Sequence, residues 1–558
     1  MTVLEEIDQI RGYLSGPGQP FELIEQDVRG AMLPVYRHVP KNLSKIVADA
    51  AAFNDRVFMV YGDQRITFAE ALAKAAGLAG LLKDRYGLGK KDRVAIAMRN
   101  SPDWVIAYLA VLMNGAAAAL INSRGAPDEM LFAIHDVECA LLFADQRRAD
   151  VLSAGYQGPL IVAEGGMFTE KGAPLDIRDA APIVNDCTPD DPSLILFTSG
   201  TTGRPKGAVL THLGVATFLF TLRHAGATYM AHAAKRANMQ VADLMKMIPQ
   251  PSTLAVFPFF HVSGASALIL TQVMNGGKMV LMDRWDAGQA LKLVASEKIT
   301  QLTGPPSIYW DLIAHPDFAT ADVSSVTNVG IGGQATPPNL LTVLRRTFPR
   351  AAPGGGFGMT ETNGSISSAM GEEYLFNPAA SGRVQPGVRV RIVDDAGREA
   401  PLGEPGEIQV KSALVTAGYW NNPDATAAAF RDGWLCTGDI GFLDENRYVT
   451  IVDRKKDMVI RAGENIYCAE LERVFADYPG VLEVSAFGVP DDRLGERVVL
   501  AIHPHLGAEI DPAAVLAFGK TKLADFKIPS EVRITVEPFE RNVLGKVNKV
   551  ALRQQIFG

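Results

Sequence analysis

Residues 197–208 read FTSGTTGRPKGA, a short run of serine, threonine and glycine closed by Lys206. Backbone amides and hydroxyls at that density can face an anion and the lysine can neutralise it, so the run is a candidate phosphate loop. The common nucleotide loop, G-x-x-x-x-G-K-[ST], places glycine directly before its lysine and a hydroxyl directly after it. Here Pro205 precedes Lys206 and Gly207 follows, so the phosphate geometry of a kinase or GTPase is not implied. Four further segments carry polar or charged residues beside glycine: GFGMTET (356–362), WLCTGDIG (434–441), DRKKDMVIRAGENI (453–466) and RNVLGKV (541–547). A fifth, FPFFHVSG (257–264), sets His261 among aromatic residues. Taken singly, each has a plain structural reading: a solvated linker, a helix cap, a turn aspartate, a basic surface, a core histidine.

The elements that must position these residues follow from periodicity. Strand-like runs RVAIAM (93–98), SLILFT (193–198), TLAVFP (253–258) and KMVLM (278–282) alternate with helical patterns such as DAGQALKLVASEKI (286–299). That alternation predicts an α/β sheet protein. After about residue 380 the texture changes to short β-rich pieces divided by turns, GVRVRIVDDAGRE, GEIQVKS and RYVTIVDRKKD. From Asn465 a helical pattern, AELERVFADY, precedes SAFGVPDD and VVLAIHP, which predicts a compact α+β tail. Between the two lies DRKKDMVIRAGEN, charged and glycine-containing, suited to an exposed hinge. The most apolar stretch, WVIAYLAVLMNGAAAALI (104–121), is interrupted by Asn114-Gly115 and reads as a buried helix followed by a short strand rather than a membrane span.

Bulk properties narrow the partners. A chain of 558 residues exceeds one ordinary core, so two or more domains are expected. Its formal charge of -8 offers no basic field for a phosphate backbone, which argues against nucleic acid. The four cysteines, Cys139, Cys187, Cys436 and Cys468, form no C-x-x-C pair, so neither a disulfide framework nor a zinc ribbon is expected and a reducing cytoplasm fits. MTVLEEIDQIRGYLSG lacks the order of a signal peptide, and the final IFG matches no common address.

In their order and spacing the segments resemble the adenylate-forming superfamily: acyl-CoA synthetases, peptide-synthetase adenylation domains and beetle luciferases. The resemblance covers nearly the whole chain from about residue 40 and is most like fatty-acid or related acyl-CoA ligases. It implies a large N-terminal domain of mixed sheets with flanking helices, residues 1–453, with a β-rich subdomain at about 380–453. A small mobile α+β C-terminal domain, residues 454–558, would follow, hinged near Lys456. Thr198, Ser199, Gly200, Thr201, Thr202, Gly203 and Lys206 would then cover the β- and γ-phosphates of ATP. Thr360 would touch the α-phosphate and Glu361 would hold Mg²⁺, a hard-cation role for one carboxylate. Phe357, Gly358 and Met359 would border adenine, with Gly333, Gln334 and Ala335 as its other wall.

By the same resemblance Asp439 accepts the ribose hydroxyls, Arg454 is a second ribose and phosphate contact, and Lys546 reaches the substrate carboxylate. Glu540 stands where the family's loop commonly has proline, so that loop is expected to be less rigid. His261 would flank the acyl pocket and the reacting carboxylate. Amino-acid-activating members typically carry F-D-x-S where this chain has F-H-V-S, so no buried anion awaits an ammonium and an uncharged acyl group is expected. Val262, Gly264, Ala265, Ala267, Ser307, Tyr309, Gly332 and Gly333 would line the pocket. Rotation about Lys456 would bring Gly463, Glu464 and Asn465 beside a tunnel for the coenzyme A thiol, giving a thioester and AMP. The expected substrate is a medium or long fatty acid or other apolar acid. The alternatives are an aryl-acid CoA ligase and an acyl-AMP ligase that loads a carrier protein. A homodimer is left open.

Overall fold

The computed structural model describes residues 2–557 other than 199–204, 283, 334, 335, 337, 463, 492 and 542–546. Two large sheets form its body. The first has eight strands, in which Leu141–Ala144, Arg93–Ala97, Ala117–Leu120 and Pro192–Thr198 run parallel at the centre and Lys206–Thr211 closes the edge antiparallel. The second has nine, with Asn328–Ile331, Gln301–Gly304, Ser252–Ala255, Lys278–Leu281 and Val57–Tyr61 as parallel neighbours and Ala352–Met359 beside Asn328–Ile331.

Helices Phe68–Tyr86 and Pro102–Asn114 join one core cluster with residues from both sheets, including Met59 and Ile96. The apolar stretch singled out in the sequence is this second helix followed by the strand Ala117–Leu120. Ser101 caps it, Pro102 opens it and Gly115 ends it at φ 97, a conformation glycine adopts without strain. Twelve of its residues are buried, so its apolar surface faces protein on all sides. Among the described residues no helix is long and apolar enough to cross a membrane.

A five-stranded antiparallel sheet follows, built on Arg389–Val393, Gly406–Lys411, Trp434–Leu443 and Val449–Arg454. Beyond an exposed turn at 455–457 a second five-stranded sheet, centred on Val481–Asp491 and Gly495–Pro504, packs on helix Cys468–Ala476 around Phe475 and Leu500. The α/β reading with an α+β tail holds. The tail helix covers AELERVFA of the predicted helical run, and Val481–Asp491 contains SAFGVPD.

Candidate active site

A cleft of ≈ 4000 Å³ runs between these bodies and over the open face of the nine-stranded sheet. At one part of its wall the hairpin Pro192–Thr198/Lys206–Thr211 pairs Thr198 with Lys206, so both ends of the phosphate-loop candidate stand side by side on the cleft. The intervening Ser199, Gly200, Thr201, Thr202 and Gly203 lie outside the described residues, as do Gln334, Ala335, Gly463 and Lys546.

Glu361 sits in a single tight turn, Thr360–Thr362, after strand Ala352–Met359, with Asn363 at φ 57 reversing the chain. The carboxylate is only 6% exposed yet lines the cleft. Tyr419 donates its hydroxyl to Glu361 Oε1 at 2.7 Å, and the other oxygen takes no hydrogen bond from the described residues. Tyr419 reaches this position because residues 416–420 anneal along Lys206–Thr211: Ala417 N–H donates to Val209 O, Val209 N–H to Gly418 O, and Trp420 N–H to Gly207 O. The Lys206 ammonium lies 5.6 Å from the Tyr419 ring centroid, a cation–π contact. One aromatic side chain thus touches the lysine of one motif and the glutamate of another. Nothing in the periodicity around GYW marks Tyr419; only its place directly after a glycine hints at a constrained side chain.

Asp439 and Arg454 face each other across antiparallel strands as an ion pair, with Nε 2.9 Å from Oδ1. Asp439 is nearly buried while Arg454 remains largely exposed and lines the cleft with Thr437 and Gly438. The next residue inward, Asp453, is buried against the tail, accepting from Arg454 N–H and from Ala469 N–H at the start of helix Cys468–Ala476. Burial pushes its carboxyl up to about 6, with the Lys549 charge acting the other way. Lys456 occupies the exposed turn just beyond.

His261 follows the turn at Pro258, and the chain then enters a wide π-helical segment, Ser263–Leu270, a form that recurs at functional sites. The ring packs on Phe260 and lines the cleft, and its Nε2 is buried without a hydrogen-bond partner among the described residues. Burial, and next the Arg124 charge, push its pKa down to about 4, so the imidazole is neutral at pH 7. Arg124, which no sequence motif marked, also lines the cleft.

Val262, Ala267, Ser307, Gly332 and Gly333 lie on the cleft wall, as do Gly358, Met359 and Thr360. Other expected positions do not. Tyr309 is fully buried and donates its hydroxyl to Leu302 O and Gly330 O, so it braces two strands from the opposite face. Gly264 is off the wall because the π-helix presses it on the preceding turn, where a Cβ would lie 2.2 Å from Pro258 O. Ala265 is buried one residue further on. Phe357, at an irregularity in strand pairing, packs on the main core while its neighbours Gly356 and Gly358 face the cleft. Glu464 and Asn465 belong to a hairpin with Val459–Arg461 and do not line the cleft, whereas Arg541, Val547 and Lys549, which flank 542–546, do. Among the described residues no cluster of three histidine, cysteine, aspartate or glutamate side chains could hold a metal.

Two sheeted layers, a β-rich extension and a small α+β tail around a shared cleft form the architecture of adenylate-forming enzymes. The ATP-bound structure of MatB from Rhodopseudomonas palustris superposes with a TM-score of 0.78 at 29% identity, covering 92% of this chain and 99% of that one. The chain belongs to the AMP-binding enzyme family: residues 46–420 match the AMP-binding enzyme model, and 470–546 match the AMP-binding enzyme C-terminal domain. Among its relatives, a feruloyl-CoA synthase of Amycolatopsis sp is 32% identical over 89% of this chain and 95% of its own length. The long-chain-fatty-acid–CoA ligase FadD13 of Mycobacterium tuberculosis is 32% identical over 88% and 93%.

Proposed function

We propose that the chain is an AMP-forming acid–thiol ligase. It joins a carboxylic acid to the α-phosphate of ATP with release of pyrophosphate, then passes the acyl group to the thiol of coenzyme A with release of AMP. The observation that carries this reading is the convergence, on one cleft, of Lys206, Glu361, Arg454 and the neutral His261, with Asp439 buried off the wall and ion-paired to Arg454.

The obstacle to the first step is electrostatic, because a carboxylate must approach a phosphate that is also an anion. Preorganised cations and dipoles answer it better than a strong base does. Lys206, held over Tyr419, and the 199–204 segment cover the departing phosphates, with Thr198 at the edge of that loop. Thr360 meets the α-phosphate. Asp439 accepts ribose hydroxyls, its ion pair keeping Arg454 beside the nucleotide. Glu361 fits a hard cation: one oxygen is fixed by Tyr419 and the other would be free to hold Mg²⁺. Bound there, Mg²⁺ supplies charge neutralisation at the phosphates. Lys546 contacts the carboxylate and the α-phosphate. His261, uncharged in its buried position, hydrogen-bonds at the carboxylate without demanding a counter-ion.

The second step replaces AMP by a thiol at the acyl carbon, which requires a different face at the cleft. Residues 1–453 act as the nucleotide- and acid-binding body and 454–558 as the moving unit, pivoting at Lys456 so that 463–465 replace Lys546. The test is Lys546→Ala: acid-dependent pyrophosphate release is lost, while pre-made acyl-adenylate and coenzyme A still give thioester at close to the wild-type rate. Equal loss of both half-reactions contradicts the assignment.

A further inference from the structure

Strands Leu23–Val28 and Ala31–Tyr36 form a two-stranded sheet of their own, an antiparallel hairpin closed by Val28 opposite Ala31. It lies before residue 46, where the match to the AMP-binding enzyme model begins. A lone hairpin is marginal in water, so this one stands by what it packs on. Val28, Leu33 and Val35 are buried together with Leu213, at the start of helix His212–Arg236, and with Ala413. The turn has two central residues, Arg29 at φ 53 and Gly30 at φ 80, and Asp27 Oδ1 accepts from Gly30 N–H. Such a turn favours Asn-Gly, and an arginine in the left-handed region is uncommon. From there Arg29 reaches across to donate from Nη2 to Val415 O at 2.7 Å.

Val415 stands at the head of the segment that delivers Tyr419 to Glu361. Residues 412–418 belong to no helix or strand, so the orientation of each peptide is set by the hydrogen bonds it makes. Thr416 N–H donates to Glu361 O at 2.7 Å. The carbonyl of Val415 and the N–H of Thr416 belong to one planar peptide and point in opposite directions. That peptide is therefore held at both ends, by Arg29 on one side and by the backbone of Glu361 on the other. The preceding carbonyl, Leu414 O, accepts from the side chain of Asn363, which ends the Glu361 turn.

We infer that Arg29 is a positioning residue for Glu361: by fixing the 415–416 peptide it keeps the Thr416 amide on the Glu361 backbone and Tyr419 on the Glu361 carboxylate. The inference rests on the reading of Glu361 as the metal-holding group of an adenylating cleft, and it adds to that site a residue that is itself off the cleft wall. A hairpin that only covered apolar surface would need no arginine in a turn suited to asparagine. The strained position is explained by the reach of the side chain, since asparagine there would end well short of Val415.

Arg29→Asn separates the two roles, because it suits the turn at least as well as arginine and removes only the reach. In the nucleotide-free protein, hydrogen–deuterium exchange should show peptides covering 413–420 losing protection while the unfolding midpoint changes little. Mn²⁺·ATP binding, titrated without acid, should weaken about fivefold, less than the roughly tenfold expected of Tyr419→Phe, which touches the carboxylate itself. Arg29→Lys keeps a cationic donor and should restore most of the affinity. The Arg29→Asn, Tyr419→Phe double variant should fall short of the product of the two single losses, because both act through one carboxylate. Unaltered protection of 413–420, or losses that simply multiply, overturns the inference. If protection is lost and neither variant alters Mn²⁺·ATP affinity, the metal reading of Glu361 falls and the positioning contact stands. If Tyr419→Phe weakens binding and Arg29→Asn does not, the metal reading stands and the inference falls.

Discussion

Tyr419 shows what a single side chain contributes when two motifs meet on it. Its hydroxyl fixes one oxygen of Glu361, and its ring lies under Lys206. Tyr419→Phe keeps the ring and removes the donor, and a hydrogen bond to a charged group is worth roughly 1.5–3 kcal/mol. The variant should therefore bind Mn²⁺·ATP about tenfold more weakly in a direct titration without acid, with its unfolding midpoint little changed. Unaltered nucleotide affinity at every metal concentration would show that Glu361 needs no such support. Tyr419→Ala should weaken binding further, because it also removes the cation–π partner of Lys206.

At the scale of elements, the strand Val449–Arg454 and the helix Cys468–Ala476 are joined through the buried Asp453, which faces Ala469 N–H, the Lys549 ammonium and Glu472. Lys549 is itself held by Glu472 and Ala486 O. Because the folded-state pKa of Asp453 is raised to about 6 by burial, the folded chain holds this proton where the unfolded chain has lost it. The sign follows from linkage: ionisation costs nothing below the unfolded value near 4, costs progressively more up to about pH 6, and costs its full amount above that. Asp453→Asn removes the charge and keeps one acceptor. Relative to the wild type, its stability should improve by roughly 2 kcal/mol between pH 4 and pH 8. Urea unfolding of both proteins at the two pH values reads this directly, and a difference that stays constant with pH would mean that the carboxyl is not desolvated.

For the whole molecule, the proposed pair of half-reactions would call for two arrangements around the cleft, with the proposed pivot in the turn at 455–457. In the present arrangement the residues flanking 542–546 line the cleft and Glu464 and Asn465 do not. That is the order expected when Lys546 serves the first step. Lys456→Pro fixes φ near −65° at the pivot and should hold one orientation. Pyrophosphate release should persist in a single turnover, thioester formation should collapse, and acyl-AMP should accumulate on the enzyme with coenzyme A saturating. Thioester formed at the wild-type rate would remove Lys456 from the mechanism. An exposed turn has few buried contacts to lose, so the variant should fold.

The sequence by itself determined the alternation of strands and helices, the buried character of 102–114, the α+β tail and the identity of the charged residues around the cleft. Each rests on local information: side-chain period, capping residues, turn glycines, and motifs whose order survives without coordinates. It did not reveal Tyr419, because that contact joins residues 58 apart in the chain to Glu361. Nor could it tell that Tyr309 braces strands from behind, since a buried tyrosine and a pocket tyrosine have the same local surroundings. Nor could it tell that Gly330 and Gly354 stand opposite each other, which only the parallel register of their strands decides. Pairing between distant strands is set by the hydrophobic faces they share with the rest of the fold. The chain's local pattern therefore named the chemistry, and tertiary structure decided the shape of what that chemistry acts on.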